Sequence, residues 1–94
     1  MANNNFLGMD PDIIKGQIVP QLSSQADELQ QVSSAVDKLM ATAEQAWNGP
    51  DSQKFRAEWE GTHRKTLQTL TEQLRSLSRT AAQNAEAQLQ TSAN

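Results

Sequence analysis

The sequence predicts an all-α fold, a two-helix antiparallel hairpin that dimerises into a four-helix bundle. Aliphatic residues and alanine supply most of the hydrophobic fraction, and Phe6, Trp47, Phe55 and Trp59 are the only aromatics. Such a composition favours helices over sheets. Two long stretches carry apolar residues at helical spacing. Between them stands one strong break, Trp47-Asn48-Gly49-Pro50, near the middle of the 94 residues.

The first helix is expected over about 10–46. Asp10-Pro11-Asp12 supplies an N-cap, a proline at the first helical position and an acid favoured by the helix dipole. Gly16 and Pro20 follow, and a proline inside a helix removes one backbone bond, so a kink and a separable first segment are expected there. Beyond it Ile18, Leu22, Gln25, Leu29, Val32, Val36, Leu39, Ala43 and Ala46 alternate four and three residues apart, an a/d seam. Ala26, Met40 and Trp47 widen the seam on one flank, which suits a bundle helix with more than one neighbour. Gln25 is its one polar member, read as a register-setting residue or as a surface side chain.

The break at 47–50 reads as a helix end and a sharp reversal, with Gly49 as the turn residue. Pro50 and Asp51 then open the second helix, expected over about 51–87. Phe55, Trp59, Leu67, Leu70, Leu74, Leu77, Ala81, Ala85 and Leu89 keep to one face, with a spacing irregularity between Trp59 and Leu67 that His63 fills. Residues 1–9 and 88–94 are weak in charge and periodicity, so both ends are expected to be flexible. Two helices touching along one seam leave each broad apolar face half covered. Pairing with a second hairpin covers it and places Leu22, Leu29, Val32, Val36, Leu39, Met40, Phe55, Trp59, Leu67, Leu70, Leu74 and Leu77 in the core or dimer interface.

Composition limits function. The formal charge of −3 and a pI of 4.9, without a basic stripe interleaved with aromatics, argue against a nucleic-acid partner. Residues 1–47 hold six acids and two bases, residues 48–94 five acids and six bases, so the halves sum to −4 and +1 and suit side-by-side packing. No cysteine is present, hence no disulfide framework or thiolate metal site. The start lacks a basic region and an apolar stretch long enough for a signal peptide, and no segment is expected to insert in a membrane. Polar faces rich in Gln, Ser, Thr and acids give little attraction to anionic lipid. Glu60-x-x-His63 has the spacing used by di-metal bundles, but Val32, Val36 and Leu39 are expected opposite it and Glu28, Asp37 and Glu44 off the seam, so no metal is expected. Catalysis has no nucleophile–base pair and no phosphate loop to stand on, and neither enzyme activity nor a cofactor is expected.

Trp47-Asn48-Gly49 at mid-chain, flanked by similar amphipathic helices in a short chain without cysteine, resembles the WXG family of ESAT-like proteins. The opening Leu7-Gly8-Met9-Asp10-Pro11-Asp12 is similar to how many members enter their first helix, and the likeness covers essentially the whole chain. The resemblance implies a helical hairpin paired into a four-helix dimer, with itself or with a paralogous WXG subunit. It also implies cytoplasmic synthesis and secretion without a cleavable signal peptide through the type VII apparatus of Gram-positive bacteria. Trp47, Asn48 and Gly49 would then form part of a composite surface read by the export ATPase. The family's export signal usually includes a Tyr with three residues between it and an acid just past the second helix. Here Glu86 is the acid available and Ala82 stands four residues before it. A partner that supplies the motif, or a divergent tail, is implied. The alternative from another class is a cytoplasmic helical adaptor that docks an amphipathic partner helix and is not exported.

Overall fold

The computed structural model describes residues 9–93, and these form two long antiparallel arms. The first arm runs through Pro11–Ile13, a π-helical turn Ile14–Ile18 and Val19–Ala46; the second through Pro50–Glu58, a π-helical turn Trp59–His63 and Arg64–Ala93. No strand occurs among the described residues. The hairpin measures 66 × 17 × 17 Å, with a radius of gyration of 20.2 Å. A compact globule of this length would have a radius near 12 Å. Two rods side by side make a seam rather than a core.

Local chemistry accounts for the boundaries. The Asp10 carboxylate accepts from the backbone N–H of Asp12 (3.1 Å) and Ile13 (3.4 Å), so the first arm starts where its cap is. Helix continues through Pro20 without a break. The expected defect takes the form of the π turn Ile14–Ile18, separated from the proline only by Val19, whose N–H donates to the Ile14 carbonyl five residues back. The second arm reaches Ala93, six residues beyond the expected end at 87. Lys15 Nζ pairs with Glu86 Oε1 at 2.7 Å and Leu89 is half-buried, so the opening turns of the first arm support this last stretch. Of the ends expected to be flexible, residues 1–8 and 94 lie outside the described residues.

The second π turn explains the irregular spacing in the sequence. Trp59 and Leu67 are eight residues apart, so two turns must hold about 4 residues each, against 3.6 in an α-helix. One widened turn at Trp59–His63 keeps both residues on the same side. Ile14, Ile18 and Leu22 repeat this spacing around the first π turn, and each π turn has a glycine at its third position, Gly16 or Gly61.

Between the arms the packing residues are small. Ala26 and Ala85 are fully buried, as is Ser52, and Ser78 is almost so. Ser78 Oγ donates to the Val19 carbonyl at 3.0 Å and lies 3.2 Å from Ser23 Oγ, which satisfies the buried hydroxyl. Val19, Ala26, Ser33 and Met40, seven apart, form the centre of the first arm's contact. The expectation had Ala26 and Met40 at a flank, so the seam is rotated from the predicted one. Small side chains allow the backbones to approach closely, and the larger aliphatics are displaced to one side.

Candidate docking face and hairpin tip

Residues seven apart share a stripe on a helix, because seven residues make nearly two turns. On the first arm Leu22, Leu29, Val36 and Ala43 are half-buried beside the contact line, and Ile18, Gln25, Val32 and Leu39 stand exposed beyond them. On the second arm Leu67, Leu74 and Ala81 are half-buried, with Leu70 and Leu77 exposed beyond them. Leu39 and Leu77 retain 62% and 56% of their surface in solvent, and Val32 retains 49%. Both exposed stripes lie on the same broad side of the hairpin, opposite its charged side. That side is a largely apolar face, interrupted on the first arm by Gln25.

The opposite side carries the ion pairs that bridge the arms. Arg75 Nη2 donates to Asp27 Oδ1 and to Gln30 Oε1, both at 2.9 Å. Arg56 meets Glu44 at 3.3 Å. Asp37 takes two bonds, from the Trp59 indole N–H at 2.8 Å and from Arg64 Nη2 at 2.7 Å. The indole bond, and after it the Arg64 guanidinium, hold the Asp37 carboxyl below the usual carboxylate range. Three of the four bridging pairs set a first-arm acid against a second-arm base, in the sense of the −4 and +1 halves. Asp37 was expected off the seam and instead reaches Trp59 across it. The sequence signal for this clasp is faint, since Asp37 stands beside Val36 in the pattern and its partner Trp59 lies at the start of the π turn, where the helical spacing is irregular.

The expected interface residues divide between the two environments. Trp59 is buried, at 8% exposure, while Leu22, Leu29, Val36, Met40, Leu67 and Leu74 are half-buried and Val32, Leu39, Phe55, Leu70 and Leu77 are exposed. Glu60 and His63 both lie exposed. No helix among the described residues is long and apolar enough to cross a membrane.

At the tip, the Trp47 N–H donates to the Ala43 carbonyl at 2.8 Å and its backbone is extended, so Trp47 itself ends the first arm. Gly49 does not cap that helix as expected. It is the N-cap of the next one, where its carbonyl accepts from the Gln53 N–H at 3.2 Å and from Ser52 Oγ at 3.1 Å. Its φ of 140° and ψ of 175° lie in a region that only glycine occupies readily. Asn48 is exposed, and the Trp47 ring, 45% exposed, leans on Phe55 with centroids 5.8 Å apart. Trp47 was expected to widen the buried seam; it stands outside it as half of an open aromatic pair.

No family model, curated protein or solved structure matches the chain.

Proposed function

We propose that this chain is an ESAT-like WXG protein, a non-enzymatic substrate or component of type VII secretion that acts as a dimeric helical-hairpin interaction module. The observation that carries the reading is the apolar face. Large aliphatic residues stand exposed along one side of the hairpin, while the buried residues between the arms are Ala26, Ser52, Trp59, Ser78 and Ala85. From Ile18 to Ala46 the first-arm stripe is roughly 42 Å long, and with a width of 17 Å its projected area of roughly 700 Å² approaches the ~800 Å² per partner of a standard interface. A paired hairpin, self or paralogous, covers that face and completes a four-helix bundle.

The tip supports the secretion half of the reading. Trp47 and Phe55 keep 45% and 46% of their surface exposed, and Gly49 between them holds a backbone conformation that only glycine adopts readily. An exposed aromatic pair on a rigid reversal suits recognition by an export ATPase better than it suits stability. Cytoplasmic synthesis and release by the type VII route follow from the same reading. Expressed with its neighbours in a Gram-positive host, the chain is expected in the culture supernatant, and Trp47→Ala is expected to lower export while leaving the helical signal unchanged. A chain that remains in the cells would favour a cytoplasmic adaptor using the same apolar face. Export unaffected by Trp47→Ala would make the tip only structural.

A further inference from the structure

We infer that Asn48 is a site of spontaneous deamidation: its side-chain amide is lost through a cyclic imide with the Gly49 backbone nitrogen, and a carboxylate replaces it at the hairpin tip. The site goes beyond the function proposed above and needs no partner. Trp47, Asn48 and Gly49 are the non-helical residues between the two arms, and Asn48 is exposed. The Gly49 N–H reaches no backbone acceptor among the described residues. A Cβ placed on Gly49 would meet nothing within 4 Å, so the surroundings of its nitrogen are uncrowded. Glycine also brings no side chain of its own to hinder that nitrogen.

Water is the only co-reactant. The Gly49 nitrogen gives its proton to base and attacks Asn48 Cγ; the N–Cγ bond forms, the Cγ–Nδ2 bond breaks, and Nδ2 takes up a proton and leaves as ammonia. A five-membered imide then joins the two residues. Water opens it on either side. Addition at Cγ breaks the new N–Cγ bond and leaves an aspartyl residue. Addition at the Asn48 main-chain carbonyl breaks the original peptide bond and leaves an isoaspartyl link, in which the chain runs through the side chain. Either product adds one negative charge, so the formal charge goes from −3 to −4. The isoaspartyl link also puts one more carbon into the main chain between Trp47 and Gly49. Both changes fall beside the Trp47 ring and within the segment that joins it to Phe55, 5.8 Å away.

Asn84 supplies the contrast within the same chain. It too is exposed, but it lies inside the helix Arg64–Ala93 and precedes the fully buried Ala85. The Ala85 N–H belongs to the helical ladder, so ring closure there has to break a backbone bond first.

The test incubates the full chain in mildly alkaline buffer, digests it with trypsin and compares it with an unincubated control by mass spectrometry and isoaspartyl methyltransferase labelling. Asn48 is the one asparagine in the tryptic peptide 39–54. That peptide is expected to convert to aspartyl and isoaspartyl forms about tenfold faster than Asn84 reacts, and faster still as pH rises, because the nitrogen must lose its proton. On isoelectric focusing of the intact chain a more acidic band should grow at the same rate. Asn48→Gln, whose longer side chain closes a ring far more slowly, should keep the helical signal and lack that band. In urea Asn84 is expected to speed up while Asn48 keeps its rate, since the fold shields only the first. Equally slow reaction at Asn48 and Asn84 in the folded chain would overturn the site, as would a large acceleration of Asn48 in urea. Aspartyl product without isoaspartyl would overturn the cyclic route.

Discussion

Among single residues, the two tryptophans have opposite roles despite similar settings in the sequence. Trp59 is buried at the seam and donates to Asp37, while Trp47 is open to solvent at the tip. Trp59→Ala is expected to abolish cooperative thermal unfolding, since truncating a buried Trp typically costs about 3–5 kcal/mol and a seam of two helices has little to spare. Trp47→Ala should shift the midpoint by only a few degrees, as followed by circular dichroism. Asp37 gives a pH signature. Its carboxyl titrates lower in the folded hairpin than in the unfolded chain, so its contribution is complete above the ordinary Asp range and is lost as pH falls through the folded value. Urea midpoints for wild type and Asp37→Asn should therefore differ most near pH 7 and converge in strong acid. A gap that stays constant with pH would show that the clasp does not titrate.

For each arm, periodicity in the sequence set the helices and their limits to within a few residues at 10, 46 and 51. The late end at Ala93 was not legible because its support comes from Lys15 and the opening turns of the other arm. Nor was the true contact line. The apolar pattern marks where large aliphatics lie, but closest approach goes to small residues, and Ala26, Ser52, Ser78 and Ala85 are the ones buried. Large side chains beside that line still bury part of their area without having to fit between the backbones. Ala26→Leu is accordingly expected to destabilise the hairpin by about 1–3 kcal/mol through overpacking, although leucine suits both helix and core. Denaturant unfolding with an unchanged or higher midpoint would contradict a contact line at Ala26. The spacing of eight between Trp59 and Leu67 was visible as an irregularity, and the π turn gives it a physical form.

On the scale of the whole molecule, the hairpin has one charged side held by cross-arm ion pairs and one apolar side facing solvent. Exposed pairs of this kind contribute only about 0.2–1 kcal/mol each, so the charged side orients the arms more than it holds them. On the proposed reading, stability comes largely from covering the apolar side. The proposed function rests on that incompleteness: on this reading a hairpin with an uncovered apolar side is a unit to be paired, and the pair presents its tips for recognition. The sequence carried the apolar side in two stripes broader than one seam can bury, while the level of each residue against the other arm became legible only from the cross-arm bonds. Sedimentation equilibrium of the full chain at micromolar concentration tests the claim most directly. A single species near twice 10.4 kDa is predicted, with loss of helix on dilution. A helical species that remains at 10.4 kDa and melts cooperatively would contradict it.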